Sequence, residues 1–137
     1  MINIAVLGFG TVGSGVVEIV SETDLKRKAG DDIAIKAILD IRDFTGNPYG
    51  HLVTNDYNKI LNDKSIDIVV ETMGGLNPAY LFTKQALAVG KNVVTSNKEL
   101  VSTHGAELMQ IARENNVSYL FEASVGGGIP IIRPLNN

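Results

Sequence analysis

Gly8-Phe9-Gly10-Thr11-Val12-Gly13 has the spacing G-x-G-x-x-G, which acquires chemical meaning when a strand runs into it and a helix leaves it. In that setting each glycine has a task. Gly8 permits the tight turn, Gly10 lets backbone approach a pyrophosphate, and Gly13 lets the helix pack close to the strand. Phe9, Thr11 and Val12 complete the loop, and the N–H groups and positive dipole end of the helix face the phosphates. The alternative is a glycine turn kept for packing alone. Asp40 lies further on than the usual spacing of about twenty residues, and a carboxylate there accepts both hydroxyls of a ribose. Arg42, two residues later, suits a 2′-phosphate, or is an ordinary solvated loop charge. One residue favours NAD and the other NADP, so the choice between them stays open.

The elements that must position these groups follow from the apolar pattern. Ile2 to Leu7, Ile33 to Leu39, Ile66 to Val70, Asn92 to Thr95 and Val117 to Phe121 read as five short strands, most of them apolar on both faces. Helical spacing starts at Thr11 and dissolves into the charged stretch Glu22 to Lys28, with Gly30 as a plausible stop. Ile41 to Leu52 reads as loop. Asn55 or Asp56 caps a short helix through Asn62. Asn77 followed by Pro78 predicts a capped helix start, running to about Val89 and closed by Gly90. A last helix, with Leu108, Ile111 and Ala112 on its apolar stripe, precedes the fifth strand. Alternating strands and helices predict an α/β fold, a doubly wound, mostly parallel sheet of the Rossmann type. In such a sheet ligands sit beyond the carboxyl ends of the strands. Gly8, Asp40, Thr72, Ser96 to Lys98 and Glu122 to Gly127 all fall there. Lys98 is thus placed to reach a cofactor phosphate, a nicotinamide ribose or a substrate, and Thr72, Met73 and Gly74 to border the ribose. The alternatives are an exposed helix-start lysine and a simple turn.

The composition narrows the classes further. The chain has 137 residues, 45% hydrophobic and 20% charged, with a net charge of -3. That is one ordinary domain with enough apolar surface to fold. No dense Lys/Arg run suggests nucleic acid, no apolar run reaches the eighteen or so residues of a membrane span, and a cytoplasmic location is expected. The absence of cysteine excludes disulfides, thiolate metal sites and a cysteine nucleophile. His51 and His104, without a paired acid or second histidine nearby in sequence, read as surface or helix-start residues. Met73, Met109 and the tyrosines read as packing.

Val94-Thr95-Ser96-Asn97-Lys98 and Phe121-Glu122-Ala123-Ser124-Val125-Gly126-Gly127-Gly128-Ile129-Pro130, together with the glycine turn and Glu71-Thr72-Met73-Gly74-Gly75, strongly resemble the homoserine dehydrogenase family. The resemblance extends over essentially the whole chain. It implies NAD(P)-dependent interconversion of L-homoserine and L-aspartate 4-semialdehyde, on the route to threonine and methionine. It also implies that Lys98 lines the active site and touches cofactor, with Ser96 and Asn97 beside it as further candidate cofactor contacts. A monovalent cation, sodium for example, would be held by Glu122 and the carbonyls of Val125, Gly127 and Ile129. Glu122 as a cap for the next helix start, and Gly126 to Gly128 as a hinge, are the other readings. Family chains are much longer, so residues 1–130 are expected to be the dinucleotide-binding domain and 131–137 the start of a substrate-binding, catalytic domain. On this reading no catalytic residue lies in the present stretch, which binds cofactor without turnover, and the parent enzyme is a homodimer. A stand-alone NAD(P)-sensing module and a methyltransferase are the rival classes.

Overall fold

The computed structural model describes residues 1–21, 32–122 and 132–134. Strand β1 (Ile2–Leu7) lies in the middle of the sheet, because its side chains are buried whichever way they point. Ala5 and Leu7 join a core on one face, Ile4 and Val6 a core on the other. β2 (Ile33–Leu39) and β4 (Ile68–Glu71) flank it, both parallel to it. β3 (Val53–Thr54) extends the sheet beyond β2, and β5 (Asn92–Thr95) and β6 (Tyr119–Glu122) extend it beyond β4, again parallel. β7 (Ile132–Pro134) pairs antiparallel with β6, giving the order β3-β2-β1-β4-β5-β6-β7. The order reverses direction at β1, which opens a crevice above its carboxyl end. Register keeps the strand ends level there: Leu7 pairs with both Leu39 and Glu71, and Glu71 pairs with Thr95.

Helices cover both faces. α1 (Thr11–Ser21) packs Val17 and Val20 on Ile4, Val6 and Ile38. The opposite face carries α2 (Tyr57–Leu61), α3 (Ala79–Ala88) and α4 (Lys98–Glu114), whose Ile60, Ala86, Leu87, Leu100, Leu108 and Ala112 surround Leu7, Val69 and Val93. Among the described residues no helix is long and apolar enough to cross a membrane.

The predicted elements are present, with shifted ends. β4 and β6 start two residues later than their apolar runs and finish one residue later, on acids, Glu71 and Glu122. Residues 53 and 54, unassigned from sequence, form β3 after a 3-10 turn at Gly50–Leu52. Asp56, not Asn55, caps α2, accepting the Asn58 N–H at 3.0 Å. Asn77 does not cap α3. The Asn77–Pro78 peptide is cis, Pro78 itself precedes the helix, and no side chain caps it. Gly90, at φ +89°, closes α3 as expected, with its N–H on the Leu87 carbonyl at 3.1 Å. Ile111 is only half-buried on the α4 stripe, and His104 sits inside α4 with its ring 4.1 Å from that of Tyr80. The charged stretch after Ser21 lies outside the described residues.

A Cβ on Gly13 would lie 1.8 Å from the Gly8 carbonyl oxygen, whereas one on Gly15, in the same helix, would meet nothing within 4 Å. Gly13→Ala should therefore cost about 1–3 kcal/mol or more, because backbone must move. Gly15→Ala should gain about 0.5–1 kcal/mol from helix propensity alone. Thermal melts of the two variants check this; a Gly13→Ala protein as stable as the parent would contradict the seating of α1 on β1.

Candidate functional site

The glycine turn lies at the carboxyl end of β1. Gly8, at φ +97°, takes a conformation closed to most side chains, and its N–H donates to the Leu39 carbonyl at 2.8 Å. Gly10 accepts the Ser14 N–H at 2.9 Å, so α1 begins here. The N–H groups of its first turn have no carbonyl one turn earlier to receive them. Gly10 and Thr11 are exposed and Val12 half-buried. A Cβ on Gly10 would touch nothing within 4 Å; the space above the turn is open. Phe9 differs from its neighbours. Its ring is buried, edge-on to Phe44 at 4.9 Å, so only its backbone belongs to the site.

Thr72 fastens this turn from the neighbouring strand end. Its hydroxyl lies 2.9 Å from the Leu7 carbonyl oxygen and 3.0 Å from that of Gly8. Asp40 fastens it from the other side, its carboxylate accepting the Phe9 N–H at 2.9 Å. The same carboxylate accepts the Arg42 N–H at 2.9 Å, Arg42 Nε at 3.0 Å and Arg42 Nη2 at 2.8 Å. The Asp40 side chain is 7% exposed and that of Arg42 60%. The Arg42 hydrogen bonds, outweighing the opposing effect of burial, hold the Asp40 carboxyl well below the usual range. Arg42 also lies over the Phe44 ring, 5.1 Å from its centre.

Thr72 and Met73 are half-buried, and Gly74 and Gly75 form an exposed tip with φ of +76° and +70°. Ser96 is half-buried and Lys98 exposed at the first position of α4. Asn97 is buried, its Oδ1 caps α4 by accepting the Leu100 N–H at 3.1 Å, and its Nδ2 donates to the Gly75 carbonyl at 2.6 Å. The side chain thus holds the site together from within. Glu122 ends β6 at the same edge of the sheet. Val125, Gly127 and Ile129 lie outside the described residues, so only Glu122 of the four expected cation ligands has a described position, and that for its backbone alone.

A cleft of about 420 Å³ runs from the glycine turn between Asp40, Ile41 and Arg42 on one side and Met73, Pro78 and Phe82 on the other, with Tyr57 also in its wall. A second cavity of about 640 Å³ adjoins it behind the loop from Asp40 to Asn55. From sequence Pro78 reads as a helix start and Tyr57 as packing, and Phe82 has no assigned role. Tyr57 and Phe82 stack at 4.0 Å and share a hydrogen bond from the Tyr57 hydroxyl to the Phe82 carbonyl at 2.5 Å, a pairing no local pattern reveals. Glu71, from sequence a strand end and a member of the Glu71–Gly75 segment, is completely buried. The signal was an acid closing the apolar run Ile68-Val69-Val70. Among the described residues no group of three His, Cys, Asp or Glu side chains gathers to hold a metal.

The profile of the family described as "Homoserine dehydrogenase, NAD binding domain" matches residues 8–122. The homoserine dehydrogenase of Lactococcus lactis is 41% identical over 146 residues, covering 99% of this chain and 33% of that protein. For Synechocystis the identity is 42% over 138 residues, covering 98% and 32%. Among solved structures, a homoserine dehydrogenase from S. aureus superposes with a TM-score of 0.81 at 45% identity, over 93% of this chain and 33% of that one. One from Thiobacillus denitrificans gives 0.83 at 38% identity, over 93% and 31%. The chain thus spans about a third of the length of these relatives.

Because the folded state depresses the Asp40 pKa, the ionised carboxylate stabilises the fold above the unfolded value near ~3.9. That contribution is lost as pH falls through the folded value. Asp40→Asn should therefore lower Tm most near neutrality, with the gap to the parent closing below about pH 4. Melting curves from pH 7 to pH 3 check this; a gap that widens in acid would contradict the Asp40–Arg42 pairing.

Proposed function

The chain belongs to the homoserine dehydrogenase family, matched through its NAD binding domain, and on that premise we propose that it holds NAD(P) for the interconversion of L-homoserine and L-aspartate 4-semialdehyde. The observation that carries this reading is the glycine turn. It opens α1 at the switch point of the sheet, with Gly10 exposed, free space above it and Gly13 seated on Gly8. Backbone N–H groups of Gly10, Thr11 and Val12 would take the pyrophosphate, and the apolar rim of Ile41, Pro78 and Phe82 suits the adenine. Thr72, Met73 and Gly74 would border the nicotinamide ribose, with Ser96 and Lys98 across from them. The cofactor, when bound, supplies the hydride chemistry; the protein's part is to orient it and present one face.

The Asp40–Arg42 pair bears on which dinucleotide is preferred. Asp40 already accepts four N–H bonds, about the full acceptor capacity of a carboxylate. Ribose hydroxyls would therefore have to displace Arg42. A 2′-phosphate instead meets the exposed side of the guanidinium, without breaking the fork. We take the site to admit both dinucleotides and to favour NADP.

On the same proposal, residues 1–130 would be the dinucleotide-binding domain and 131–137 would lead into a substrate-binding part. That part would supply the catalytic groups and the dimer contact. A cation on Glu122 and the carbonyls of Val125, Gly127 and Ile129 belongs to the same proposal, since hard oxygen ligands on an irregular backbone suit such an ion. Cytoplasmic amino-acid biosynthesis is the setting this implies.

Calorimetric titration tests the reading. NADPH should bind more tightly than NADH, Arg42→Ala should narrow the difference, and S-adenosylmethionine should give no heat. Gly10→Val should weaken both dinucleotides at least tenfold, about 1.4 kcal/mol, while melting close to the parent, because its Cβ strains nothing in the free protein. The 137-residue chain should show no homoserine oxidation. Binding of S-adenosylmethionine alone, or Gly10→Val binding as the parent does, would overturn the assignment.

A further inference from the structure

Glu71 is a charged residue with no contact with solvent, placed where its strand neighbour Val69 shows that an apolar side chain fits the core. A buried carboxylate is costly unless hydrogen-bonded, and this one takes donors from two separate segments, the 72–75 turn and the β5–α4 junction. Oε2 accepts the Met73 N–H at 2.8 Å, Oε1 accepts the Thr95 hydroxyl at 2.7 Å, and Asn97 Nδ2 lies 3.4 Å from Oε2. Thr95 in turn accepts the Asn97 N–H at 3.0 Å. Asn97 closes the circuit by donating to the Gly75 carbonyl at 2.6 Å. The turn from Thr72 to Gly75 is therefore gripped at Met73 by Glu71 directly and at Gly75 by Asn97, which Glu71 and Thr95 orient. Among the described residues nothing packs on the tip to set its shape. A Cβ on Gly74 or Gly75 would meet nothing within 4 Å, and both residues have positive φ.

We propose that Glu71 is the positioning residue of the nicotinamide half of the site: it locks the 72–75 turn to the β5–α4 junction, so that Thr72 to Gly74 and Ser96 to Lys98 face each other at a fixed separation. This rests on the dinucleotide-binding reading above. The adenine half is built mainly from the glycine turn, Asp40 and the rim of Ile41, Pro78 and Phe82, with Met73 in one wall. Among the described residues, no side-chain hydrogen bond of Glu71 reaches it beyond Met73. The device is therefore local. Losing it should loosen one half of a bound dinucleotide and leave the other half unchanged.

The test compares whole dinucleotide with its adenylate half, using calorimetry on the full 137-residue chain with NADPH and 2′,5′-ADP. Glu71→Met, which removes both acceptors, should weaken NADPH about tenfold or more and leave 2′,5′-ADP within about twofold. Glu71→Gln should restore most of the NADPH affinity, because the Thr95 hydroxyl can turn to accept from the carboxamide while Met73 keeps an oxygen. Thr95→Val, a change of shape small enough to keep the fold, should weaken NADPH selectively in the same direction; it keeps the question decidable if Glu71→Met does not fold. Equal losses for NADPH and 2′,5′-ADP, or no loss for either in Thr95→Val and Glu71→Met, would overturn the positioning role. A parent chain that binds neither probe would overturn the dinucleotide reading along with it.

Discussion

The room denied to a Cβ at Gly13 sets the rest of the site. With the Gly8 carbonyl oxygen 1.8 Å from where that atom would be, α1 can leave β1 only by resting its first turn directly on the strand end. That approach aims the unpaired N–H groups of the helix over the crevice between β1 and its two neighbours, where the strand order reverses. Thr72 and Asp40 then hold the turn from either side, through the Gly8 carbonyl and the Phe9 N–H. The three strands that meet at the crevice thus contribute one fixed point each.

Electrostatics follow from the same geometry. An acid beneath an anion-binding turn would repel phosphate, but the Asp40 charge is offset by the Arg42 guanidinium and by N–H donors on both its oxygens. The carboxyl group of Glu71 is held completely inside the fold, its oxygens accepting from donors of the 73–97 circuit. Both acids act as fasteners for backbone. The charged side chains left exposed at the site include Arg42 and Lys98, which together with main-chain N–H groups suit an anionic ligand.

Much of this was legible in the residues. The β1, β2 and β5 ends matched their apolar runs because Gly8, Asp40 and Ser96 stop them sharply. Ile66 and Val117 misled at β4 and β6, being apolar residues that lead into a strand without pairing in it. β3 is two residues long, too short for any periodicity to show. The Asn77 cap failed because the helix begins one residue later than the signal placed it, with Pro78, which has no capping side chain, at the N-cap position. At the site, the glycine positions were readable because a motif with a known mechanical role sits in its proper context. Asn97 was placed at the right strand end, but its burial was not readable. Sequence shows that a polar residue is there, and only three dimensions show Gly75 and Leu100 taking up its amide.

The central claim, that the carboxyl ends of β1, β4 and β5 form one dinucleotide site, is tested most directly by titrating NADPH into isotope-labelled protein and following backbone amide resonances. The account predicts that Gly10, Thr11, Gly74 and Ser96 shift together along one binding curve, while Asn62 and Lys91, in a cavity away from these strand ends, stay fixed. Shifts centred on Asn62 and Lys91, or none at saturating NADPH, would contradict it.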